Sequence, residues 1–198
     1  MSTPTDKVLS TLARVGLLLK QDRRLQNVVT LVTGEYLSSS WWSHPKGRLI
    51  FSVLADLSEH PDVLFTKLLH GKDTLVHRSL WSALLAVATA AEPWQRRNLS
   101  SPARSLLKEV NEAGMPVRSS GPAVRELVSR LLVQAVQVHT ESGRHAMAVE
   151  SWSVWAAHVA IVPARSELHA RKALENACLA IGAPISALPW RPAKSAAS

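Results

Sequence analysis

VLFTKLLHGKDTLVH, residues 63–77, reads as a β-hairpin in a chain whose other apolar stretches read as helices. Residues 63–69 and 74–77 are rich in apolar and β-branched side chains, which suit extended backbone. Between them, His70-Gly71-Lys72-Asp73 puts Gly-X at a turn centre, the chemistry of a two-residue hairpin connection. This is the one sheet the sequence predicts. The expected fold class is therefore mainly α with one β-hairpin, at about residues 63–77.

Upstream of the hairpin, Ile50, Val53, Leu54 and Leu57 recur at helical spacing. Pro45 suits the first turn of that helix. His60, pushed out of the helical region by Pro61, closes it. A first helix is predicted over residues 5–21, and a second apolar segment over 25–32 stops at Gly34. Three helices followed by a hairpin over residues 5–78 is the order of a winged-helix unit. In that fold the third helix enters the major groove and the hairpin tip meets the backbone. An ordinary helical domain with one hairpin accounts for the same order.

Downstream, Trp81, Leu84, Leu85 and Ala88 share a face of a helix over 79–91. Ser101-Pro102 opens the next helix and Gly114 closes it. Residues 117–121 read as a link. A helix from Pro122 carries the stripe Val124, Leu127, Val128, Leu131, Leu132 and Ala135. Two more helices are predicted over 146–162 and 165–181. No internal repeat is evident. The expected organisation is a winged-helix-like part with the hairpin over 1–116, a C-terminal helical part over 117–188 and a loose tail over 189–198.

The chain has 198 residues, 46% hydrophobic and only 19% charged, enough for a sizeable core. Its formal net charge is +8 and its pI about 10.3. Such an excess suits phosphate or an acidic membrane surface, and serves solubility equally well. One cysteine, Cys178, excludes a disulfide framework and zinc sites of the Cys₂His₂ or Cys₄ type. No metal and no cofactor are expected. The N-terminus has no signal pattern and no apolar run is long enough to span a bilayer, so the expected setting is cytoplasmic, without membrane.

The favoured partner is nucleic acid, with DNA the expected form. Lys46 and Arg48 at the start of the third helix, Lys67 and Lys72 on the hairpin, and Arg78 just after it are the expected backbone contacts. Trp41 and Trp42 lie beside His44 in a serine-rich loop. One exposed indole there suits stacking on an unpaired base, while two buried indoles would simply fill the core. A second reading is a small enzyme acting on nucleic acid, of glycosylase or nuclease type. HTESGRH, residues 139–145, gathers His139, Glu141 and His145, with Glu150 close behind, and such groups suit general acid–base work. A loop capping two helices explains the same residues, and His-x₅-His is not a recurring metal-ligand spacing. A helical scaffold for a protein partner is the third reading. No phosphate-binding glycine loop, Gly-x-Ser-x-Gly or His-Glu-x-x-His occurs.

SWWSHPKG, HPDVLFTKLLHGKDTLVHRSLW, AEPWQ and HTESGRH together resemble a family of bacterial proteins of similar length, over roughly residues 25–155. The resemblance implies a bacterial, cytoplasmic setting. It brings no activity and no catalytic residue with it.

Overall fold

The computed structural model describes residues 3–139 and 145–191. The chain forms two compact units. The first joins the residues up to Trp81 with those from Lys172 onward, and the second is Ser82–Arg171.

In the first unit, α1 (Pro4–Val15) starts at a reciprocal cap. The Thr3 hydroxyl accepts from the Asp6 N–H at 3.0 Å and the Asp6 carboxylate accepts from the Thr3 N–H at 2.9 Å. The helix buries Val8, Leu12 and Val15 and ends at Gly16, whose φ is +81°. A helix was expected to continue to residue 21. Instead Leu17–Leu19 is a strand, β1, buried on every residue. A short run of leucines carries no periodicity of its own, and the left-handed glycine before it ends the helix.

The helix α2 (Val28–Thr33) is capped by Asn27 and closed by Gly34. A single 3-10 turn at Trp41–Ser43 leads into α3 (Gly47–Glu59), which buries Ile50, Val53, Leu54 and Leu57 as its spacing predicts. It stops at His60, before Pro61. The strands β2 (Val63–Lys67) and β3 (Asp73–His77) pair antiparallel from Val63↔His77 to Lys67↔Asp73. The predicted two-residue turn is a five-residue one. Leu69 is fully buried, its N–H donates to the Thr74 hydroxyl at 3.2 Å, and His70 takes φ 51°. Burying Leu69 draws the chain into a 3-10 turn that a two-residue link cannot accommodate. The free edge of β3 pairs with β1, so the sheet order is β1-β3-β2.

In the second unit, α4 (Trp81–Thr89), which begins on the last residue of the first, is followed by α5 (Pro93–Arg96) and α6 (Ser101–Ala113). Ser100 caps α6 and Gly114 closes it at φ 60°. Then come β4 (Val117–Arg118), α7 (Pro122–Ser129), β5 (Gln134–His139), β6 (His145–Glu150), α8 (Trp152–His158) and the first turn of α9 (Glu167–Ala180). The strands form a second antiparallel sheet, ordered β4-β6-β5. Leu127, Val128, Val133 and Val149 pack with Ala103, Leu106 and Val110 as its core.

The fold is thus mixed α and β with two three-stranded antiparallel sheets, not mainly α with one hairpin. The helix stripe that begins at Val124 ends with α7. Leu131, at φ 52°, then turns the chain, and QAVQVH and HAMAVE pair as strands. Both sheets place their third strand in the middle, an order repeated without a repeated sequence. Among the described residues no helix is long and apolar enough to cross a membrane.

Candidate functional site

The first unit gathers cations where the hairpin turn meets the loop after β1. Lys72 Nζ lies 2.7 Å from Asp22 Oδ2, across fifty residues of chain. Lys67 and Lys20 converge on Asp73, at 2.6 and 3.8 Å. Arg23 and Arg24 beside them are exposed, and their guanidinium groups make no ion pair among the described residues. Three lysines are therefore held on two aspartates, and two exposed arginines follow Asp22 in the chain. Asp22 organises its own loop, accepting from the N–H groups of Arg24 at 2.8 Å and Leu25 at 3.0 Å. Burial would raise its carboxyl, but the Lys72 ammonium and these two N–H groups outweigh that and hold the pKa down at about 2.

This loop also reaches the tryptophans. The Gln21 amide donates to the Ser39 carbonyl at 2.7 Å, just ahead of the Trp41–Ser43 turn. The two indoles stack with centroids 4.0 Å apart. Trp41 is buried, whereas Trp42 is 67% exposed. Phe51, also exposed, lies 5.9 Å from Trp42. A Cβ at Gly47 would come within 3.1 Å of the Trp42 carbonyl oxygen, a tight approach to backbone that suits glycine there.

The other expected contacts divide. The His44 Nδ1 accepts from the Lys46 N–H at 3.1 Å, which leaves Nε2 to donate to Glu35, also at 3.1 Å. Lys46 Nζ donates to the Thr33 carbonyl at 3.0 Å. Arg48 is exposed and makes no ion pair among the described residues. Arg78 lies at the end of the hairpin away from the turn. It sits 5.3 Å over the Trp81 ring and donates to the Pro61 carbonyl at 3.5 Å.

In the second unit His139 and His145 are register partners across β5 and β6. Glu141 lies outside the described residues. Glu150 is at the far end of β6, opposite Gln134, buried, and 3.4 Å from His158. Burial raises its carboxyl, and His158 offsets this only in part. No group of three His, Cys, Asp or Glu residues suited to a metal ion occurs among the described residues.

Sequence reasoning missed Lys20, Arg23, Arg24 and Phe51. The run KQDRR at 20–24 carried a signal for the first three. Phe51 stands one residue after the buried Ile50, off the core face of α3. Compared with known protein families, curated proteins and solved structures, the chain matches none.

Proposed function

We propose that the first unit is a winged-helix module that binds nucleic acid, with the hairpin turn and the 20–24 loop on the phosphates and Trp42 on an unpaired base. The observation that carries this reading is the cluster of Lys20, Arg23, Arg24, Lys67 and Lys72 around only Asp22 and Asp73. Phosphate attracts such a cluster, and the two aspartates hold part of it in place before a ligand arrives. The element order α1-β1-α2-α3-β2-β3 with sheet order β1-β3-β2 supports the winged-helix part of the reading.

The charge pattern moves the phosphate contacts away from α3. Arg48 stands near its start, but Asp56 and Glu59 are exposed on its later turns and repel a phosphate backbone. Trp42 and Phe51 offer an exposed aromatic surface instead, which favours strands with unpaired bases.

Fluorescence anisotropy with a labelled single strand and a labelled duplex, over a range of salt, tests this. The logarithm of the affinity should fall with the logarithm of salt by about 0.7 per phosphate contacted on a single strand. Arg23→Glu with Arg24→Glu should weaken binding to both and flatten the slope. Trp42→Ala should cost about 1–3 kcal/mol on the single strand and little on the duplex. Absence of binding to either at low salt overturns the reading.

A further inference from the structure

The second unit holds a cleft of about 550 Å³ lined by Glu92, Trp94, Arg97, Asn98, Arg130 and Arg171. It is open to solvent on one side rather than an enclosed cavity. Three arginines from three separate stretches of chain line it with Glu92, and Glu126 and Glu167 stand behind two of them. Two are already oriented. Arg171 is paired with Glu92 and lies 2.8 Å from Glu167. Arg130 donates to the carbonyls of Arg97 and Gln95 and lies 3.7 Å from Glu126. Arg97 is exposed, and its side chain makes no ion pair among the described residues. The Trp94 indole N–H donates to Glu92, which fixes the edge of the ring at the cleft.

The backbone around the cleft is strained and held. Among the described residues, five non-glycine positions have positive φ, and three of them border or line it: Ala91 at 56°, Asn98 at 56° and Leu131 at 52°. A leucine in that region is a genuine outlier. Gln95, wholly buried, keeps it there, donating to the carbonyls of Ala88 at 2.9 Å and of Arg130 and Leu131 at 3.4 Å. The Trp152 indole adds a bond to the Leu131 carbonyl at 2.8 Å. Strain that surrounding structure over-determines in this way gathers at ligand clamps.

We infer that this cleft binds a nucleoside monophosphate group, its phosphate on Arg97 and Arg130 and its base beside Trp94. Arginine forks match phosphate oxygens two at a time, and an indole accepts any base. The group comes either from a free mononucleotide or from the phosphorylated end of a strand. The site does not depend on the interface of the first unit.

Calorimetric titration of the full chain with AMP, adenosine and inorganic phosphate tests the inference. AMP should bind at one site and adenosine much more weakly. Arg97→Ala should lose about tenfold in affinity with an unchanged melting temperature, since the Arg97 side chain is exposed and the carbonyl that Arg130 uses stays in place. Titrations of the Arg23→Glu, Arg24→Glu protein with a short single strand, with and without a 5′-phosphate, then separate the sources. If the phosphorylated strand binds more tightly than AMP, the ligand is a strand end. If AMP binds more tightly, it is a free nucleotide. No saturable binding of AMP to the wild-type chain, equal binding of adenosine, or an Arg97→Ala affinity equal to wild type overturns the inference.

Discussion

Asp22 does two jobs at once: it caps the loop that carries Arg23 and Arg24, and it holds Lys72 of the hairpin turn against that loop. An unfolded aspartate titrates near pH 3.9, whereas this one is held down at about 2. The sign follows from linkage. A depressed carboxyl stabilises the fold fully above its unfolded pKa and loses that contribution as pH falls through its folded one. The shift corresponds to about 2.6 kcal/mol, which solvent screening at the half-exposed Lys72 reduces to about 1–2 kcal/mol at neutral pH, lost between roughly pH 4 and pH 2. Urea unfolding of Asp22→Asn over that range measures it. The variant should be weaker than wild type at neutral pH and converge with it near pH 2. Two parallel curves would contradict the pairing. The same aspartate explains why an exposed lysine at a hairpin tip is not simply a free cation, as the sequence suggested for Lys72.

At the scale of elements, Gly16 decides where α1 ends and β1 begins. Its φ of +81° is one that glycine adopts at little cost, and a Cβ there would come within 2.6 Å of Leu80 Cδ1 and 3.3 Å of Ala177 Cβ. The leucine end can move, but the backbone angle cannot relax without unpairing β1 from β3. Gly16→Ala should destabilise by about 1–3 kcal/mol, read as a lower urea midpoint. An unchanged midpoint would mean that β1 is not part of the cooperative unit. Elements with strong local signals were legible: α3 by its spaced apolar residues, its end by His60-Pro61, and the β2–β3 hairpin by its β-branched run. β1 and the β5–β6 pair were not. Leu17–Leu19 is buried on all sides and so shows no alternation. Residues 134–139 have no strict alternation and follow directly on a helical stripe, so they read as its continuation.

Across the whole molecule the positive charge is shared unevenly. The first unit carries thirteen Lys and Arg against eight Asp and Glu, and the second ten against seven. The residues from Lys172 onward belong with the first unit, and Cys178 reports on them. It is wholly buried, donates to the Pro184 carbonyl at 3.3 Å, and its thiol is pushed up to about 11 by burial and by Glu175. A thiol-labelling reagent should therefore react with it only when this region opens. Labelling should be slow in the native protein and accelerate in Gly16→Ala, because Ala177 packs beside Gly16. Rapid labelling of the native chain, at the rate of an unfolded thiol, would contradict this burial.

The sequence by itself determined what neighbours along the chain decide. Examples are the stop at Gly114, the break before Pro61, the buried face of α3 and the hairpin centred near Gly71. Each depends on backbone sterics or on side chains a few residues apart. Only the tertiary structure decided which cations stay unpaired, which indole faces out, and which guanidinium groups share a cleft. Lys72 meets its aspartate fifty residues away, and Arg171 meets Glu92 seventy-nine residues away. Trp41 and Trp42 are adjacent and chemically identical, so only their places in the folded chain bury one and leave the other to the solvent. Partners so distant leave no periodic trace, because loop closure brings them together only after the core has formed.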